Sequence, residues 1–441
     1  MSRILVSSSP ALLPFLAAAI LAAGCSSSDS PAASSTPDAA SDAGPEASIP
    51  DAPGDAAIDS AEEASDAPEA APPFRSFALF TASDYATTAE FVGVQVSGSD
   101  HVPSNLTFDD QDSIVVAAHG RAFVLGRTNG TVSVIDLAQP MTVSATFSVQ
   151  PAGDGGGKGN PYGVVVPAAN KAYVVRYAQN TVAVIDPNAS GGVVGEIDLS
   201  AFADPADGLI DAFAGVYDPT TGRAYIGLQR IDQNDFGAPP DYVGSCSATH
   251  AAIVGIDTAT DTIVDLNGTA EGSALELEAR NPNYMAWDAT TTRVIVFGVG
   301  CADPSADGGL GRSGRGVEAV DPAAGTTAWL FHTEELARPA GMIWIPASEA
   351  LLAFDDDMFT RHWYRWDPTT PSLGSELANV PSVPAYDGKR GLVGVATSTN
   401  DGGTSIDLVR FDLDNETLET IAAGAFKAPG VMPYTSATVF P

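Results

Sequence analysis

The densest group of chemically able side chains is Asp355-Asp356-Asp357, followed by Arg361-His362-Trp363. Consecutive carboxylates are hard oxygen ligands of the kind that hold a divalent cation, and an indole beside them offers a face on which a sugar ring stacks. The same residues also read as a solvated acidic turn followed by an aromatic strand that belongs to a core. Other chemistry is sparse. His101, His119, His250 and His332 are scattered without metal-ligand spacing. Neither His-Glu-x-x-His nor Gly-x-Ser-x-Gly occurs. Asp232-Gln-Asn-Asp-Phe-Gly237 opens like a calcium loop but places Phe236 where an oxygen ligand is needed. Residues 152–159, AGDGGGKG, lack the first Gly and the final Ser or Thr of a phosphate-binding loop, so they read as a connection between elements. No residue is assigned as catalytic, no metal is assigned, and the cofactor is left open.

Charge narrows the partners. The chain has 441 residues, 55 of them acidic and 20 basic, for a formal net charge of −35. Nucleic acid is excluded as a partner, because binding it needs clustered Lys and Arg to replace phosphate counterions. Adhesion to anionic lipid by charge alone is excluded for the same reason. With 44% hydrophobic residues, there is ample material for a large core.

The elements that must position these side chains are strands. KAYVVRYAQNTVAVID, from Lys171 to Asp186, sets two β-branched and aromatic runs around a polar break and closes at Asp186-Pro187, which is a hairpin pattern. Comparable second strands begin at Ala122, Ala224, Val294, Leu351 and Leu392. The third strands end at Asp136, Asp186, Asp257, Asp321, Asp367 and Asp412. A period of about 40–50 residues built from four short strands predicts the blades of an all-β propeller. Each terminal Asp is expected to accept hydrogen bonds from its following turn rather than to bind a ligand.

The units at Ala122 and Ala172 resemble the YVTN-type β-propeller repeat, most closely in Asn129-Gly130-Thr131-Val132-Ser133-Val134-Ile135-Asp136. That resemblance implies a propeller over 74–441 and no particular activity, since a fold carries no function by itself. Residues 77–82 and 91–96 read as strands two and three of a unit whose first strand is supplied by 430–440. Closure by the two termini gives seven blades, with six or eight if either terminal segment is misread. A single closed ring is expected as a monomer.

Ahead of the repeats, Arg3 and an apolar run over 11–21 lead to Leu21-Ala22-Ala23-Gly24-Cys25, which resembles the lipobox of bacterial lipoproteins. Ala22 departs from it, where that family usually has Leu. The resemblance implies residues 1–25 as a signal peptide, lipidation of Cys25, and, from Ser26, an outer-membrane lipoprotein of the cell envelope. An ordinary signal peptide cut near Ala23 is the alternative. Residues 26–73 hold eleven acidic residues with no Lys, Arg or aromatic, and are expected to be a disordered tether.

Loop length marks the blades that differ. From the start of strand two to the terminal Asp, the first two units span 14 residues, whereas Ala224 to Asp257 spans 33 and Val294 to Asp321 spans 27. The extra residues fall in equivalent loops of consecutive blades and should meet. Cys246 lies in the first insertion and Cys301 opens the second. If Cys25 carries lipid and the chain is exported, they pair as a disulfide; two separate thiols are the alternative.

Three functions remain open. The propeller is a tethered module binding a protein or glycan through the face that bears the insertions. It is otherwise a structural envelope component without a small ligand, or a metal-dependent, lactonase-like enzyme with acids such as Asp218 and Asp288 near the central channel.

Overall fold

Alternating β-branched and aromatic residues, cut by Gly, Asn and Asp turns, give each repeat an antiparallel meander that buries both of its faces. The computed structural model describes residues 76–83, 87–96, 103–138, 140–151, 159–177, 179–188, 192–236, 244–246, 249–269, 272–302, 312–332, 338–346, 349–356, 358, 360–370, 372–400, 403–426 and 434–440. Cys25, the lipobox, the whole acidic segment 26–73 and Asp357 lie outside the described residues.

Seven sheets built on a four-strand plan form the blades. Blade 1 runs Ser113–Ala118, Arg121–Gly126, Thr131–Asp136 and Thr142–Ser148. Blade 2 runs Pro161–Ala168, Lys171–Arg176, Thr181–Ile185 and Val193–Asp198. Blades 3 to 6 begin at Ala212–Asp218, Pro282–Asp288, Pro339–Ile345 and Ser382–Tyr386. Proline at the first residue of a strand costs no ladder bond, so Pro161, Pro282 and Pro339 start these inner strands.

The seventh blade is shared by the termini. Tyr434–Phe440 pairs antiparallel with Phe77–Ser83, from Phe77↔Phe440 to Thr81↔Ser436, with a bulge before Ala82. Ala89–Gln95 and Pro103–Phe108 complete that sheet. Inner strands of neighbouring blades lie against one another around the full ring. The core sits between blades: Val165, Tyr173 and Val175 meet Ala224, Ile226 and Val254. Likewise Ala78, Phe80 and Val92 of the closing blade meet Val393, Val395 and Leu408 of blade 6. The closing blade's other side, Phe77, Leu79 and Phe91, packs on Val115, Ala122 and Val124 of blade 1.

One face of the ring, the turn face, carries the connections between strands one and two and between three and four. There the terminal aspartates act as turn caps. Asp136 accepts the Ala138 amide at 2.9 Å, Asp186 that of Asn188 at 2.8 Å, Asp257 that of Ala259 at 2.9 Å, and Asp321 that of Ala324 at 2.9 Å. Asp367 and Asp412 do the same for Thr369 at 2.8 Å and Asp414 at 2.9 Å. Asp218 and Asp288 cap Thr220 and Thr290 in the same way, at 2.9 and 3.0 Å.

In blades 1, 2 and 5 the residue that opens strand two clasps the next blade. Arg121 donates to the Asn188 side chain at 2.5 Å, and Lys171 lies 2.6 Å from Asp261. In blade 5 the polarity is reversed: Glu349 accepts from Arg390 of blade 6 at 2.6 Å and from its own blade's Arg365 at 3.0 Å. Glu349→Ala leaves both guanidiniums short of an acceptor and should lower the unfolding free energy by about 1–2 kcal/mol. Urea denaturation followed by Trp fluorescence checks this; an unchanged midpoint would mean the clasp is ornamental.

Candidate functional site

The opposite face, the loop face, carries the connections between strands two and three and those between blades. On it the two insertions fold against each other. After Arg223–Leu228, the first insertion forms a short hairpin, Asp232–Phe236 with Gly244–Ser245, and Ser245 runs parallel to Ala302 in the sheet of blade 4. The second insertion lengthens strands two and three of blade 4 into Arg293–Ala302 and Arg312–Asp321, ten residues each. Gly298 faces Gly316 where this hairpin leaves the blade. A Cβ on Gly316, whose φ is +139°, would sit 2.1 Å from the Phe331 carbonyl oxygen, so only glycine fits.

Cys246 and Cys301 form the expected disulfide, with Cα atoms 4.9 Å apart across 55 residues of sequence. The Cys246 amide also donates to the Ala302 carbonyl at 2.9 Å. The two insertions are thus one cross-linked unit. A third tall hairpin, Gly391–Asn400 with Gly403–Asp412, rises from blade 6 on the same face. The sequence shows its length, from Leu392 to Asp412, but no motif that marks it for chemistry.

The acidic turn of blade 5 also lies on the loop face. Arg361 holds Asp355 through two bonds of 2.9 and 3.1 Å. Asp356 accepts the Met358 and Thr360 amides, each at 2.8 Å. The His362 ring lies 2.7 Å from Glu376 through Nδ1 and 3.5 Å from Asp356 through Nε2. Its hydrogen bond to Glu376, then the one to Asp356, raises the His362 pKa above the ordinary imidazole range. Trp363 is 8% exposed and packs among Ile343, Leu351, Leu377 and Leu392. Asp355, Asp356, Arg361 and His362 therefore come together, with Glu376 added, while the indole of Trp363 lies in the core. Among the described residues, no three acidic, His or Cys side chains are grouped as a metal site.

At the inner rim, side chains from blades 1 to 3 form a continuous chain of contacts that ends on a main-chain carbonyl of blade 4, an arrangement no motif in the sequence marks. Arg127 pairs with Asp112 at 3.0 Å and lies 4.1 Å over the Tyr162 ring. Tyr162 and Tyr177 have centroids 5.1 Å apart. The Tyr177 hydroxyl donates to Gln229 at 2.9 Å, and Gln229 donates to the Pro282 carbonyl at 2.7 Å. Their common signal is position: Arg127, Tyr177 and Gln229 each directly follow a second strand. Their amides donate to Asp112, Asn160 and Asp211, the residues directly before the first strands, at 2.8, 3.0 and 3.0 Å. Burial, then the nearby Asp211 carboxylate, raises the Tyr177 pKa and keeps its hydroxyl a donor.

On the turn face, Glu349, Arg365, Trp366, Thr370, Ser375 and Arg390 line a cleft of about 600 Å³ between blades 5 and 6. Apart from Asp367, which caps its own turn, its charges are those of the interblade clasp.

No family model matches the chain, and no curated protein matches it. Solved structures do match. A protein provisionally described as a 6-phosphogluconolactonase, from Bacteroides fragilis, has a TM-score of 0.52 at 9% identity, over 83% of this chain and 97% of that one. A second protein so described, from Bacteroides uniformis, gives 0.49 at 10% identity, over 78% and 95%. AztD from Citrobacter koseri gives 0.46 at 10% identity, over 83% and 98%. Of these, only the Bacteroides fragilis likeness exceeds a TM-score of 0.5, and at 9% identity it speaks for the fold alone.

Chain-entropy reasoning makes the disulfide a sizeable stabiliser, because it closes a long loop. Reduction should raise the intact mass by two hydrogens and lower the unfolding free energy by about 2–4 kcal/mol. Urea denaturation with and without reductant measures this; equal midpoints would show that the bridge acts only within the insertions.

Proposed function

We propose that this chain is an exported lipoprotein whose propeller binds a protein or glycan partner through its loop face. The observation that carries the reading is the cross-linked pair of hairpins from blades 3 and 4, standing on the same face as the acidic turn of blade 5. Ordering long loops costs closure entropy, and a disulfide that removes this cost on one face only pre-organises a surface for contact. The YVTN-like repeats fit this reading, since such blades present variable loops on a constant core. The acidic residues of 26–73 would serve as the tether, and lipid on Cys25 as the anchor. The structural alternative, an envelope component with no small ligand, uses the same fold and tether. The enzyme alternative draws on fold likeness alone, and Asp218 and Asp288 are occupied with capping their own turns.

Two measurements test the proposal. Cys25→Ser should move the protein from the membrane fraction to the soluble extracytoplasmic fraction and abolish incorporation of labelled palmitate. Membrane retention by that variant would discard the lipid anchor. A pull-down from envelope extract would compare the intact chain with one whose residues 233–246 and 302–315 are replaced by short turns. Retention by the intact chain and loss by the trimmed one is the expected result. No partner with either, from folded protein, would favour the structural component.

A further inference from the structure

The segment 204–211 and the root of the first insertion are joined mainly through carboxylates. Asp211 is fully buried, and its oxygens accept the Ile231 amide at 3.1 Å and the Gln233 side-chain amide. Asp207 accepts the Gln233 main-chain amide at 3.1 Å, so two carboxylates converge on one residue. Asp204 is fully buried too; one oxygen accepts the Ala206 amide at 2.8 Å and the other has no hydrogen-bond partner. The segment itself is held by blade 2, where Asn180 donates to the Gly208 carbonyl at 2.7 Å and accepts the Ile210 amide at 3.1 Å.

Nearby cations do not balance these acids. Arg230 faces Asp204, but it is engaged with the Phe202 and His250 carbonyls at 2.6 and 3.0 Å and lies 3.8 Å from Glu276. From blade 2, Tyr177 faces Asp207 and Asp211, with Arg127 behind it on Asp112. Asp211 sits at φ +49°, as Asn160 and Asn281 sit at +37° and +44° directly before the first strands of blades 2 and 4, so the backbone of this position recurs and only the acid environment is peculiar to blade 3. Like charges brought together out of water do not all ionise.

We propose that this junction is a proton-dependent latch, which holds the root of the first insertion while Asp211 carries a proton and loosens when Asp211 is ionised. The latch stands whether or not the loop face binds a partner. Burial, then the charge of Asp207, pushes Asp211 from 3.8 up to about 7. Once the junction opens to water, Asp211 returns to its ordinary range, so the closed form holds a proton that the open form releases. Closure is therefore fully favoured below pH ~4 and is lost as pH rises through about 7. The shift approaches tenfold per pH unit in between, about a thousandfold in all, and levels off above. The disulfide keeps the far end of the insertion in place throughout.

Hydrogen–deuterium exchange on the full chain between pH 4 and 8, corrected for intrinsic rates, tests this. Peptides holding Ile231 and Gln233 should lose protection by up to about tenfold per unit toward pH 7 and then plateau. The strand Ala252–Asp257 should keep its protection, and Asp211→Asn should flatten the dependence. If that variant does not fold, the wild-type comparison decides alone. Constant protection at Ile231 and Gln233, or a decline shared in step by Ala252–Asp257, would overturn the latch.

Discussion

The structure depends on one pairing: Tyr434–Phe440 against Phe77–Ser83, the joint that turns an open row of blades into a ring. Each blade buries its apolar faces only against its neighbours, so an open row would leave two apolar faces and an unpaired inner edge. The closing blade packs on blade 6 through Phe80 and Val92 and on blade 1 through Leu79 and Phe91. Its inner strand comes from one end of the chain and the other three from the opposite end. The propeller can therefore close only when nearly all of the chain is present.

Within that constraint the two faces divide the work. The turn face repeats itself: an aspartate caps the turn after strand three in blades 1 to 6, and in blades 1, 2 and 5 the residue opening strand two, Arg121, Lys171 or Glu349, reaches the next blade. The loop face varies. Blades 1 and 2 turn back tightly, while blades 3, 4 and 6 raise hairpins, and the first two of these are joined by a disulfide. A rigid ring can carry such variation because the loops leave from strand ends whose amides are already satisfied, as at Arg127, Tyr177 and Gln229.

Features governed by local chemistry were legible in the sequence. A strand-ending Asp followed by a turn caps that turn wherever it occurs, and alternation located the second strands. The pairing of Cys246 with Cys301 followed from equivalent loops in consecutive blades. Shared closure was visible because a strand was missing at one end and surplus at the other. Features that arise from contacts between blades were hidden. Whether Trp363 lies outside or in the core depends on which side of its strand blade 6 covers. The rim chain from Arg127 to Gln229 joins residues that meet only after three blades are assembled, and the carboxylates of Asp204, Asp207 and Asp211 converge only because Asn180 and Gln233 hold the segment from both sides.

The ring is the central claim, and deleting Tyr434–Phe440 tests it most directly, with unfolding followed by differential scanning calorimetry on the otherwise intact chain. The account predicts that the single cooperative transition of the full protein broadens or disappears, because blades 1, 6 and 7 lose their shared packing together. An unchanged, equally sharp transition would contradict it, and would mean that the blades are stable without closure.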